Sequence, residues 1–201
     1  MKTTMLFFFV ALFGYINLLA EENTDTDDDT VTEPKQKHII GARVGLQLNQ
    51  SRFFSFDYKI NGYSADIFYQ HYVSSLPFKF FPFYFFNQLY LSANAGYRNY
   101  NKNYDIIKED IPVTVGLCIY NYDDYEPFIN YYFTVEFGAL YRRKEKNFNE
   151  NSDEIKMLAT IACGFSIPLT EFLNLDINFR NCYVIKDSPK YKFSLGFSHS
   201  F

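Results

Sequence analysis

From Ile40 to the last residue, Phe201, apolar side chains recur at every second position, separated by polar or small ones. Successive side chains of a strand point to opposite faces of a sheet, so each such run predicts a strand with one apolar and one polar face. Ile40, Ala42, Val44, Leu46 and Leu48 alternate with Gly41, Arg43, Gly45, Gln47 and Asn49, and Leu89, Leu91, Ala93, Ala95 and Tyr97 with Tyr90, Ser92, Asn94, Gly96 and Arg98. The pattern returns in residues 113–119, 129–141 and 159–167, and is cleanest in 173–183 and 191–201. A soluble sandwich alternates as well. These runs, however, extend over about 10 to 14 residues, as tilted membrane-crossing strands require, whereas strands of soluble sheets usually take ~5 to 6. The predicted fold is all-β: a closed, antiparallel, up-and-down transmembrane β-barrel occupying residues 38–201, apolar toward lipid and polar toward the lumen.

The strand count turns on the first third of that region. Asn61-Gly62 reads as a hairpin turn, with Phe54, Phe56, Tyr58 and Ile60 before it and Tyr63, Ala65, Ile67 and Tyr69 after it. A first strand within 39–60 and a second in 63–75 gives eight strands; separate strands at 53–60 and 78–86 would give ten. Pro77 and Pro82 disfavour a regular strand through 78–86, so eight is preferred, and LPFKFFPFYFF is read as a turn carrying interfacial aromatic rings. Among the connections, 168–171 is short, 144–154 (KEKNFNENSDE) is longer and charged, and 101–109 and 186–190 are polar. With the N-terminus in the periplasm, the longer loops are expected outside the cell and the short turns inside.

Composition supports a wall that faces lipid. Aromatic residues make up 21% of the chain, with 24 Phe and 18 Tyr, more rings than a small soluble core needs. A barrel can place them on its outer face and in interfacial girdles. Residues 1–20 combine Lys2, an apolar core and Leu-Leu-Ala before Glu21, the layout of a cleaved signal peptide. Residues 21–37 read as an acidic disordered periplasmic linker. Within 21–36 stand seven acids and one base, whereas 37–201 holds 17 bases and 16 acids, so the barrel is nearly neutral. Neither part carries the basic stripe of a nucleic-acid binder. Asp25, Asp27 and Asp29 echo a calcium loop, but Thr30 stands where such a loop needs Gly.

Inward positions collect charges of both signs: Arg43, Asp66, Arg98, Glu136, Asp176, Arg180 and Lys192. An eight-stranded barrel is narrow enough for side chains to fill it, so these are expected to plug the lumen as ion pairs. Catalysis finds little support. The adjacent pair His199-Ser200 projects to opposite faces of its strand, and Glu136 with Asp176 has lumen arginines in phase as a structural reason. His38 and His71 lack Cys, Asp or Glu at ligand spacing, so no metal and no cofactor is expected. Of the three cysteines, Cys163 falls on the lipid face and Cys118 and Cys182 on the lumen face, so only the last two could meet, and free thiols are the preferred reading.

The ending Tyr191-Lys-Phe-Ser-Leu-Gly-Phe-Ser-His-Ser-Phe201, with Tyr191, Phe193, Leu195, Phe197 and Phe201 in one phase, resembles the terminal assembly signal of bacterial outer-membrane proteins. With the leader and the polar-lumen strands, the chain resembles the small barrels grouped with OmpA, OmpX and OmpW. The resemblance implies a monomeric, non-enzymatic protein of the bacterial outer membrane, in contact with its lipid and recognised by the barrel assembly machinery through the last strand. Its role would be structural or surface-interacting, with an unknown surface ligand; narrow porin-like passage of small or hydrophobic solutes is the alternative.

Overall fold

A computed structural model of the chain describes residues 37–50, 58–76, 86–101, 107–121, 129–146, 150–185, 187 and 189–201. The signal-peptide and calcium-loop readings, the linker up to residue 36 and the aromatic stretch 77–85 lie outside them. Eight strands follow in chain order: β1 (His38–Gln50), β2 (Tyr58–Ser75), β3 (Gln88–Tyr100), β4 (Ile107–Asn121), β5 (Asn130–Lys146), β6 (Glu150–Pro168), β7 (Leu173–Val184) and β8 (Lys190–Ser200). Each pairs antiparallel with the next, and β1 pairs with β8 from Ile39↔Ser200 to Leu48↔Tyr191, closing the barrel. Closure leaves no strand edge unpaired, which is what a sheet in hydrocarbon requires.

The period-two pattern becomes an outside and an inside. Val44, Ile67, Val115, Ile161 and Phe197 stand exposed on the outer wall, each 41% or more accessible, while Gln47, Asp66, Thr114, Thr160 and Ser198 are buried inward. Small inward residues make room for large ones. A Cβ on Gly196 would meet Arg43 Cγ at 2.6 Å, and one on Gly164 would meet the Tyr132 ring and hydroxyl at 2.5 Å. Pro112 sits inside β4, where it pairs with Leu140 of β5. On its other side the β3–β4 ladder passes from Ala95↔Val113 to Arg98↔Asp110, a gap at the residue that has no N–H to donate.

Two expectations are corrected. Asn61-Gly62 is not a hairpin turn: both residues lie inside β2, and the β1–β2 register steps from Gln47↔Gly62 to Leu48↔Ile60, so Asn61 is the extra residue of a bulge. Its carbonyl accepts from Asn101 N–H at 2.7 Å, which uses the bulged backbone to hold the end of β3. The local turn preference of Asn-Gly yields to a ladder that continues past it. Nor is 144–154 a long loop. β5 and β6 run through most of it and are parted by residues 147–149 alone. Charges that read as loop are cross-strand partners, with Arg142↔Glu154 and Arg143↔Asp153 in register. The expected asymmetry of long and short connections disappears as a result: 147–149 lies at the end away from the termini, while 76–87 and 122–129 lie at the termini end.

Candidate functional site

The lumen is the place where this chain spends its polar chemistry. All seven charges assigned to the inward face from phase are buried, none more than 5% exposed. At mid-height Glu136 of β5 is the hub. Its carboxylate accepts from Ser92 Oγ at 2.8 Å, Thr114 Oγ1 at 2.7 Å and Thr160 Oγ1 at 3.2 Å, and meets Arg180 at 2.9 Å. Four strands thus donate to one carboxylate. Beside it, Arg43 lies 3.6 Å from Asp176 and donates to Tyr132 Oη at 3.3 Å. Tyr132 Oη in turn donates to Asp176 at 2.6 Å and accepts from Asn178 at 3.0 Å. Glu136 and Asp176 therefore do not act as a carboxylate pair; each has its own arginine. Lys192 pairs with Asp66 across β1. A buried ion retained without a partner costs several kcal/mol, so mutual pairing is what makes these charges tolerable.

Toward the termini the lining turns aromatic. Ile39, Phe68, Tyr90, Cys118, Tyr120 and Tyr132 form one buried cluster, with Tyr72 packed against it. Tyr90 and Tyr120 meet edge-on at 5.2 Å between centroids, and the Arg43 guanidinium lies 3.7 Å over the Phe68 ring. Rings span more of a narrow lumen than aliphatic chains do, and their hydroxyls still find partners, as Tyr120 does on Gln70 at 2.8 Å.

At the opposite end the lining is again ionic, and it includes residues that phase reasoning passed over. Arg142 makes a forked contact with Asp110 at 2.8 and 3.0 Å and a further ion pair with Asp187. Tyr100 Oη donates to Asp110 at 2.9 Å, Lys156 meets Asp187 at 2.8 Å, and Lys144 meets Glu154 at 2.8 Å. The Lys144 ammonium holds the Glu154 carboxyl below its usual range, against a smaller opposing effect of desolvation. Asp110 and Arg142 fall between the alternating runs 113–119 and 129–141 and the connections 101–109 and 144–154, and belong to neither in the sequence reading. They nevertheless continue the inward phase of Thr114–Pro112 and Gly138–Leu140, and that continuation was the available clue.

Arg98 stands apart, because its guanidinium donates to Cys182 Sγ at 3.2 Å. Cys182 packs with Leu140, Leu158 and Val184, whereas Cys118 belongs to the aromatic cluster and accepts from Thr134 Oγ1 at 3.2 Å. The two thiols occupy different clusters, and all three cysteines are free, so the Cys118–Cys182 encounter allowed by phase does not occur. On β8, His199 is outward and Ser200 fully buried, which keeps this hydroxyl and imidazole apart. Phe193, Leu195, Phe197 and Phe201 are exposed on the outer wall, with Tyr191 half-buried in the same phase.

No protein-family model and no curated protein matches the chain. Solved structures do. Neisserial surface protein A is similar over 84% of this chain and 100% of its own, with a TM-score of 0.59 at 14% identity. The N-terminal β-barrel domain of Pseudomonas aeruginosa OprF gives 0.53 over 83% and 98% of the two chains at 11% identity. Ail, the attachment invasion locus protein of Yersinia pestis, gives 0.50 over 82% and 99%, also at 11%. At such identity the likeness speaks for the fold. With its closed eight-stranded wall, apolar outside and polar inside, the chain is a small β-barrel of the bacterial outer-membrane type.

Proposed function

We propose that this protein is an integral outer-membrane barrel with a structural or surface-interaction role, its lumen plugged by its own side chains, and no enzyme. The observation that carries the proposal is the continuity of the filling: an aromatic layer at the termini end, the Glu136 and Asp176 networks at mid-height, and the Asp110–Arg142–Asp187 network at the far end. Large conducting pores are built from around 16 strands, whereas the interior of an eight-stranded barrel is just wide enough for side chains to fill. The termini end faces the periplasm, and the hairpin of β5 and β6, strands of 17 and 19 residues parted by three, stands out from the bilayer as the surface element. A tilted strand crosses with ~9 to 11 residues, so both continue well past the apolar band. The last strand, with Tyr191, Phe193, Leu195, Phe197 and Phe201 outward, is the part offered to the assembly machinery.

Two experiments test this reading. Liposomes loaded with the purified protein are expected to show no swelling with small sugars; swelling above that of empty liposomes would favour passage of solutes instead. An epitope inserted within residues 147–149 is expected to be reached by antibody on intact cells, and labelling only after permeabilisation would reverse the orientation.

A further inference from the structure

All three histidines of the chain stand on the outer wall at the termini end, brought together by strand register rather than by sequence. His38 of β1 and His71 of β2 are direct cross-strand partners, 33 positions apart in the chain. Their rings stack at 4.9 Å between centroids and 28° between planes, and their Nδ1 atoms lie 3.3 Å apart. At that separation one protonated and one bare ring nitrogen share a direct hydrogen bond when no cation is bound, and a cation taken up between them needs no widening of the pair. Two imidazole nitrogens on one tetrahedral zinc, each ~2.0 to 2.1 Å from the metal, lie about 3.3 Å from each other. The pair thus already has the spacing of one edge of a zinc coordination tetrahedron.

Neighbouring side chains hold this geometry and keep it accessible. Tyr69, on the same face of β2, places its hydroxyl 2.7 Å from His38 Nδ1, a hydrogen bond that a cation on this nitrogen would displace, and the Phe201 ring stacks on His38 at 5.3 Å. Backbone bonds fix the seam on both sides, with His38 N–H donating to the Phe201 carbonyl and Phe201 N–H to that of His38, each at 2.9 Å. His199 also stacks on Phe201, at 5.7 Å, and so lies beside the pair as the remaining histidine. Among the described residues no group of three or more His, Cys, Asp or Glu could hold a metal, so the protein supplies two nitrogens, with the Tyr69 oxygen adjacent and water completing the shell. Such a site is open and exchanges its ion, unlike a closed four-ligand structural site.

We propose that His38 and His71 form a binding site for a divalent late first-row cation, zinc above all, on the outer wall at the termini end where β1 closes the barrel. Imidazole is a preferred ligand for zinc, copper and nickel, and a bridging ion would tie β1 to β2 beside the β1–β8 seam. The inference is independent of whether the lumen conducts.

The test uses the untagged, folded full chain in detergent micelles, titrated calorimetrically with zinc chloride alone near neutral pH. One zinc per barrel is expected. His38→Ala and His71→Ala should each weaken binding by at least about tenfold, since even changes outside the ligand shell cost that much. His199→Ala should leave it unchanged, and Tyr69→Phe should have a smaller effect than either ligand variant. Heat-modifiable migration on gels confirms that each variant is folded. Copper in place of zinc should give an electron paramagnetic resonance spectrum with two nitrogen ligands, reduced to one in His71→Ala. Absence of saturable zinc binding in the parent chain overturns the site, as does unchanged binding in both ligand variants.

Discussion

Glu136 and Arg180 meet in the middle of the lumen at 2.9 Å with 1% and 3% of their side chains accessible, whereas Lys144 and Glu154 meet at the far rim at 2.8 Å with 30% and 31% accessible. The distances are alike and the surroundings are not. In water an ion pair gains little over its two hydrated ions, and added salt screens what it gains. Inside the barrel neither ion has water to return to, so the pair is held less by its own attraction than by the cost of leaving one member alone. One wall therefore carries two kinds of ion pair: one buried inside the barrel, and one half-open to solvent at the rim between β5 and β6.

The largest effect is expected where that asymmetry is greatest. Replacing Glu136 with Leu leaves Arg180 unpaired and should cost ~3 to 5 kcal/mol, read from urea unfolding of the barrel in lipid vesicles. Adding Arg180→Met should recover most of the loss, because it removes the stranded charge; a double variant no better than the single one would mean that Glu136 acts through its three hydroxyl donors instead. Next comes Tyr132→Phe, which takes from Asp176 its 2.6 Å donor and should cost about 1 to 3 kcal/mol.

At the rim the effects should be smaller and depend on conditions. Lys144→Ala is expected to cost no more than ~1 kcal/mol, with the difference from the parent chain vanishing in molar salt. A salt-resistant loss would place the pair in drier surroundings than its exposure implies. The smallest effect concerns acid. Because Lys144 lowers the Glu154 carboxyl below its ordinary 4.5, the stability it contributes is present above that value and is lost as pH falls through the lowered one. The parent chain should thus lose slightly more stability than Lys144→Ala between about pH 6 and about pH 3, measured by the same unfolding assay.

The two regions also differ in how far they can be read from sequence. Strict alternation in β1, β7 and β8 exposes the wall and its inward charges directly, since a period of two leaves one face for each residue. Phase alone does not give the partners: that Glu136 meets Arg180 and Asp176 meets Arg43 depends on reaching across the lumen, which no spacing encodes. Toward the rim the hydrophobic half of the pattern weakens. Glu154 then looks like loop, and Asp110 and Arg142 fall just beyond the alternating runs, although their charges are arranged to pair across strands. Asn61-Gly62 misleads for the opposite reason, as its local preference for a turn is overruled by the ladder on both sides. The facing of His38 and His71 likewise follows from register, which a reading of ligand spacing along the chain passes over.

The central claim, that side chains seal the barrel from one end to the other, is tested most directly by conductance in planar bilayers. The purified protein should insert without stable open-channel steps, and Glu136→Ala, which opens space beside Arg180, should raise flickering current above that baseline. Reproducible nanosiemens-scale channels from the parent chain would contradict the account.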